Sequence, residues 1–326
     1  MKFVTIAELE SDIVKNLSQI PSNIDLVIGI PRSGMLVASM IALHKNLPLA
    51  DLDGFLDGRY YNVGTTKIKA NTIKSQSEVK NVLVVEDSVC NGNSIIKAKQ
   101  KIEASKLLQI NFYYLAAYVT PVHKSIVDIY FQVVSFPRLF EWNYMHSKFV
   151  SGACFDIDGV LCDDPTKEQN DDGERYMDFI LNAKCKYRPT FKIGYLVTSR
   201  LEKYRSVTET WLKNNGIEYG ELIMSNHKTA EERRAANDYG RFKGSVYKSK
   251  KDAFWFVESE STQAVEIVNI SNKPVFCIEN LTYYDGGKIN TTITDYKIRT
   301  KGKIKRITKK IIPRCIIKHA KYVFKK

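Results

Sequence analysis

Glu86 and Asp87 stand side by side at the end of an apolar run, in VLVVEDSVCNGNSI (82–95). The run reads as a buried strand. Cys90, Asn91 and Gly92 form a small-residue turn into a helix that starts with Asn93 and Ser94. The backbone N–H groups of such a helix start suit a phosphate. Gly92 allows close approach and Ser94 adds a hydroxyl. The two acids can accept hydrogen bonds from a vicinal diol or act through a metal. Upstream, VIGIPRSG (27–34) places a second turn between a strand and a helix. In the other half of the chain, FDIDGVL (155–161) puts Asp156 and Asp158 two residues apart after a strand, so a period of two points them the same way. LVTSR (196–200) ends another strand in hydroxyls, and FVESE (256–260) ends a third in carboxylates. Three adjacent parallel strands that converge acids and hydroxyls at their carboxyl ends make a Mg²⁺–phosphate site.

The elements that must hold these groups read as two β–α alternating blocks, with a boundary near residue 148. The first has a helix near Thr5 to Gln19, strand Asp25 to Ile30, a helix from PRSG to about His44, strand Val82 to Val85, helix Asn93 to Ala104 and strand Phe112 to Val119. Asp57 to Asn81 is polar, lacks periodicity and reads as a long loop or ribbon. PRLFEWNYMH (137–146) ends the block; its aromatic run either lines an acceptor pocket or packs the domain edge. The second block has strands entering FDIDGVL and at Ile193 to Val197, Glu221 to Met224, Ala253 to Val257 and Pro274 to Ile278. Helices lie between, including Tyr204 to Asn214 and Thr262 to Ile270. The expected fold is α/β, with two doubly wound parallel-sheet domains, residues 1–147 and 148–296, plus a basic amphipathic tail, 297–326.

The chain has 326 residues, 44% of them hydrophobic, which is globular composition and excludes a disordered or fibrous protein. No apolar run reaches the roughly 18 residues of a membrane span. The amino terminus carries acids and no apolar core, so a secretory signal is not expected. The six cysteines form no CxxC pair and fit a reduced cytoplasmic protein. The net charge of +13 equals the thirteen Lys and Arg between Lys297 and Lys326, where no acid occurs. Ile304, Ile307, Ile311, Ile312, Ile316 and Ile317 are interleaved at helical spacing, with an interruption at Pro313. Such a helix can attach peripherally to an anionic membrane surface on the cytoplasmic side, or pack on its own domain. No nucleic-acid reader motif accompanies the charge, which argues against nucleic acid.

The stretch 82–95 resembles the phosphoribosyl pyrophosphate motif of type I phosphoribosyltransferases. The resemblance implies that Glu86 and Asp87 hold the ribose hydroxyls and that Cys90, Asn91, Gly92, Asn93 and Ser94 cradle the 5-phosphate. It also implies that Arg32, Ser33 and Gly34 face the leaving pyrophosphate. The loop from Arg59 to Lys69 takes the place of that family's flexible loop, with Arg59, Tyr60 and Lys67 as lid candidates. The family usually has Thr where Cys90 and Asn91 stand, so side-chain contacts there differ while the backbone ones do not.

Residues 150–280 resemble the haloacid dehalogenase-like phosphatases through DxDG. The resemblance implies that Asp156 is the nucleophile and that Asp158 protonates the leaving alcohol and then activates water. It further implies that Thr198 binds the phosphoryl group, that Lys243, in preference to Lys248, neutralises it, and that Mg²⁺ is held by Asp156, the backbone carbonyl of Asp158, and Glu258, which stands where that family usually has Asp. Between Leu161 and Phe191 there is too little chain for a large cap, so a big substrate can enter.

Fusions of this kind resemble enzymes that install ribofuranose in bacterial polysaccharides. Phosphoribosyl transfer from phosphoribosyl pyrophosphate to a lipid-linked glycan acceptor would be followed by removal of the 5-phosphate, with the basic tail at the membrane. Two alternatives stay open. One is a nucleobase phosphoribosyltransferase fused to a nucleotidase. The other is a phosphoribosyl pyrophosphate-sensing protein with an inactive phosphatase domain.

Overall fold

The computed structural model describes residues 1–64, 73, 75–105, 107 and 109–285. The expectations for Lys67 and for the tail 297–326 lie outside the described residues. The chain divides into two compact units, Met1–Tyr144 and Met145 onward.

The first unit runs β1 (Lys2–Val4), α1 (Ile6–Asn16), β2 (Leu26–Gly29), α2 (Ser33–Lys45), β3 (Leu49–Asp51), α3 (Leu52–Leu56), β4 (Asn81–Val89), α4 (Asn93–Ala104), β5 (Asn111–Val119), β6 (Ile129–Val133) and β7 (Arg138–Phe140). Thr5 starts α1 with a reciprocal cap: its hydroxyl accepts from the Glu8 N–H, and the Glu8 carboxylate accepts from the Thr5 N–H. α2 stops where Asn46 turns left-handed. Five parallel strands form the main sheet in the order β3-β2-β4-β5-β6, and β1 pairs separately with β7.

β4 is covered on both faces. Leu83 and Val85 join one core with Val37 and Ile41 of α2, while Val82 and Val84 join a second with Ile95 and Ala98 of α4. That double burial is why the run is continuously apolar rather than alternating. It also carries β4 four residues past the expected Val85, because β5 keeps pairing to the register Val89↔Val119. Four strands of three to five residues (β1, β3, β6, β7) were not expected from the sequence, being too short to show a period. Between Asp57 and Asn81 the expected loop holds a short 3-10 turn at Gln76–Glu78, and the Asn62 amide bonds both the N–H and the carbonyl of Ile73.

The second unit contains β8 (Ala153–Phe155), α5 (Glu174–Asn182), β9 (Ile193–Leu201), α6 (Arg205–Asn214), β10 (Tyr219–Ser225), α7 (Ala230–Ala236), α8 (Tyr239–Ser249), β11 (Trp255–Glu258), α9 (Ser261–Ser271), β12 (Val275–Cys277) and β13 (Thr282–Tyr284). The sheet order is β10-β9-β8-β11-β12-β13. Its first five strands are parallel, but β13 runs antiparallel to β12. This corrects the expectation of an all-parallel sheet: the few residues between β12 and β13 suffice for an antiparallel return but not for a crossover helix. The short, fully buried β8 lies between β9 and β11, so three neighbouring strands deliver their carboxyl ends to one place.

Candidate functional site

In the first unit, Glu86 and Asp87 lie inside β4 rather than beyond it, and are only 7% and 5% exposed. Asp87 Oδ2 accepts from the Trp142 indole N–H at 2.7 Å. Glu86 Oε1 accepts from the Asp87 backbone N–H at 3.1 Å. Burial, reinforced by the Asp87 charge, pushes the Glu86 carboxyl up to about 8; a bond from Ser94 works against this. Burial raises Asp87 as well, opposed in part by Trp142 and by the Arg138 charge. Arg138 is itself held by the carbonyls of Val134 and Val89. A buried acid pair of this kind favours a partner that brings protons or positive charge.

Gly34 sets the distance between this pair and the PRSG turn. A Cβ there would fall 2.5 Å from the Val85 carbonyl oxygen and 3.3 Å from Glu86 Oε1. The start of α2 therefore abuts the acid end of β4, with exposed Arg32 as its N-cap and the Pro31–Arg32 peptide cis. Gly92 caps α4 at a φ of 78°, and a Cβ would meet Ile126 at 2.5 Å. It adds no side chain to the first-turn N–H groups of α4, while Asn91 Oδ1 accepts from the Asn93 N–H at 3.1 Å. Cys90, Asn91, Asn93 and Ser94 are exposed around this turn. Of the lid candidates, Arg59 is exposed and paired with Asp57, while Tyr60 packs against the core. The aromatic run does two things at once: Trp142 stacks on Phe140 and Tyr118 and also bonds Asp87.

In the second unit, Asp156, Asp158, Thr198 and Lys243 line one cleft of about 570 Å³. Lys243, fully buried on α8, donates to Asp156 Oδ2 at 2.5 Å, to Glu258 Oε2 at 2.8 Å and to Gln263 Oε1 at 2.8 Å. Lys248 is exposed on the same helix. Burial opposes the Lys243 ammonium, but Asp156 and Glu258 outweigh it and hold its pKa above the usual lysine range. Burial, with Glu258 and Asp158, pushes the Asp156 carboxyl up to about 7 against the pull of Lys243. Gly240 and Gly244 let α8 come this close. A Cβ on Gly244 would meet the Ile267 Cα of α9 at 3.2 Å, and one on Gly240 would meet Glu266 Oε2 at 2.5 Å.

The two aspartates share the cleft by a route other than strand alternation. β8 ends at Phe155, and the N–H groups of Val160 and Leu161 fold back onto the Ile157 carbonyl, so Asp158 sits in a turn. Gly159, at a φ of 72°, permits that turn. The Asp158 carboxylate has a cationic partner. Arg200 grips it, Nη2 to Oδ1 at 2.6 Å and Nε to Oδ2 at 3.1 Å, and its own guanidinium is fully buried against Thr208. Arg200 was visible in LVTSR, two residues past Thr198, in a stretch where the β9–β10 register shifts. Its role needed the turn at Asp158 to be known.

Among the described residues, no group of three His, Cys, Asp or Glu side chains gathers as a metal cage. Of the expected cation ligands, Asp156 lines the cleft, while Glu258 is fully buried, its Oε1 accepting from the Ser259 and Glu260 N–H groups and its Oε2 from Lys243, which also bonds Asp156. Carboxylates are hard oxygen donors of the kind Mg²⁺ takes.

Residues 3–147 match the phosphoribosyl transferase domain family, so the class of the first unit is a phosphoribosyltransferase domain. Solved structures similar to the chain include the xanthine-guanine-hypoxanthine phosphoribosyltransferase of Helicobacter pylori. It is 21% identical, with 43% of this chain and 90% of that one covered and a TM-score of 0.33. A purine phosphoribosyltransferase of Pyrococcus horikoshii is 15% identical over 44% of this chain and 95% of its own, with a TM-score of 0.31. An orotate phosphoribosyltransferase of Aeropyrum pernix is 18% identical over 38% and 66%, with a TM-score of 0.25. No curated protein matches the chain. No described helix is long and apolar enough to cross a membrane.

Proposed function

We propose that the chain transfers the 5-phosphoribosyl group of phosphoribosyl pyrophosphate to a glycan acceptor, releasing pyrophosphate, and then removes the 5-phosphate to leave ribofuranose. The observation that supports this reading is that one chain carries two buried clusters of charged side chains, each beside glycine-bearing turns. One is the buried Glu86–Asp87 pair between two glycine-bearing turns, and the other is the Lys243–Asp156–Glu258 centre beside Thr198.

In the first step Glu86 and Asp87 accept hydrogen bonds from the ribose hydroxyls and face the positive charge that develops as the C1–O bond to pyrophosphate breaks. The N–H groups of Cys90 to Ser94 hold the 5-phosphate, and Arg32, Ser33 and Gly34 receive the pyrophosphate. In the second step an Asp156 oxygen attacks phosphorus, the ester P–O bond breaks, and Asp158, which must enter the step protonated rather than as the ionised partner of Arg200, gives its proton to the departing ribose oxygen. Asp158 then takes a proton from water, which attacks the aspartyl phosphate and frees inorganic phosphate. Thr198 and Lys243 hold the phosphoryl oxygens, and Arg200 keeps Asp158 in line. Mg²⁺, held by Asp156, the Asp158 carbonyl and Glu258, would neutralise phosphoryl charge, as it would on pyrophosphate in the first unit. The segment Lys297–Lys326 gives the enzyme a means of attaching to the anionic, cytoplasmic face of a membrane, where a lipid-linked acceptor resides.

The test supplies Asp156→Asn with phosphoribosyl pyrophosphate and lipid-linked glycans. The expected result is stoichiometric pyrophosphate and a glycan that keeps its 5-phosphoribosyl group, whereas the parent enzyme yields ribosylated glycan and inorganic phosphate. Nucleotide formation from free bases would move the chain to base salvage. Tight binding of phosphoribosyl pyrophosphate without any turnover would make it a sensor.

A further inference from the structure

We propose that Arg233, with Ser199 and Asn170, forms a second subsite of the Asp156 cleft that receives an oxyanion carried on the alcohol portion of the substrate. The proposal rests on the phosphomonoesterase reading of that cleft and narrows it to phosphomonoesters with a second anionic group.

Two buried cations, Lys243 and Arg233, line the cleft, and a third, Arg200, holds the Asp158 carboxylate that lines it. Lys243 is committed to Asp156 and Glu258, and Arg200 to Asp158. Arg233, on α7, is 7% exposed and lines the same cleft, yet no carboxylate pairs with it among the described residues. Its Nη1 donates to the Ser199 carbonyl at 2.6 Å, its guanidinium carbon lies 5.6 Å from the Tyr239 ring centroid, and the Tyr176 hydroxyl faces it. Its Nε is buried without a partner. So are the Ser199 hydroxyl and the Asn170 side-chain oxygen, both of which line this cleft.

A buried guanidinium without a counter-ion is unfavourable unless a ligand completes it. The arrangement suits one class of ligand. Nε–H and the Ser199 O–H are donors without an acceptor, and the Asn170 amide can turn to present its N–H₂. Ser199 is the neighbour of Thr198, so this subsite adjoins the expected phosphoryl position. A second phosphate and a carboxylate share the required chemistry.

The test measures phosphate release by the full chain from paired substrates. Adenosine 3′,5′-bisphosphate is set against adenosine 5′-monophosphate, and 3-phosphoglycerate against glycerol 3-phosphate. A charge-assisted contact predicts a kcat/KM preference of roughly 10- to 100-fold for the doubly anionic member of at least one pair. The pair that shows the preference identifies phosphate or carboxylate. Arg233→Gln should bring the ratio close to one, mainly through KM, while Arg233→Lys should keep part of it. Ser199→Ala should lower the ratio without removing the charge, and serves if the Gln variant does not fold. Turnover without preference, or a preference that survives Arg233→Gln, overturns the subsite alone. Phosphate release no greater than that of Asp156→Asn with every substrate overturns the phosphomonoesterase reading and the subsite with it.

Discussion

Replacing Glu86 by Gln should stabilise the first unit while weakening its handling of ribose. The Glu86 carboxyl moves from 4.5 in the unfolded chain to about 8 in the fold, chiefly through burial. At pH 7 the folded state keeps the proton, whereas the unfolded chain sheds it about 2.5 pH units above its own pKa. At 1.36 kcal/mol per pH unit, unfolding at pH 7 gains about 3 kcal/mol. Because this acid is raised, its contribution to stability is complete below 4.5 and is lost as pH climbs toward 8. Gln has the same shape and no charge to desolvate, so it escapes that loss. Amide hydrogen exchange at β4 reports on this unit by itself. At pH 7 the Glu86→Gln amides should exchange up to about 300-fold more slowly than the parent's. The parent's protection should fall between pH 5 and 8 while the variant's stays level. The same variant should bind phosphoribosyl pyrophosphate more weakly. Equal or faster β4 exchange in the variant at pH 7, or an identical pH slope, would refute the claim that burial holds Glu86 in its protonated form.

Lys243→Met strips a buried ammonium from two carboxylates and should destabilise the second unit by about 3–5 kcal/mol. Urea unfolding should show a smaller loss at pH 5 than at pH 8, since Asp156, raised to about 7, is neutral at the lower pH. Gly34→Ala places a methyl 2.5 Å from the Val85 carbonyl. It should cost about 1–3 kcal/mol in thermal unfolding and impair phosphoribosyl pyrophosphate binding in calorimetry, because the start of α2 must move away from Glu86.

The elements longest in the sequence were the most legible. α4 begins and ends where Gly92 and Ser105 put its limits, and β4 and β5 announced themselves as apolar runs. Less legible was how far β4 runs. Glu86 and Asp87 read as lying beyond a strand, and only the pairing with β5 draws them into it. The direction of β13 and the short strands β1, β3, β6 and β7 depend on partners elsewhere in the chain, which no local pattern records.

What the sequence determined by itself was which residue types gather: acids after apolar runs, glycines where backbone must approach, a DxDG after a strand. Those signals are local, since a strand end and a helix start are set by neighbouring residues. Tertiary structure decided the electrostatic partners. Trp142 reaches Asp87 across 55 positions, Arg200 reaches Asp158 across 42, and Lys243 reaches Asp156 across 87. Charge and hydrogen bonding act through space, at distances of about 3 Å, so they became readable only once β4, β9 and α8 were packed.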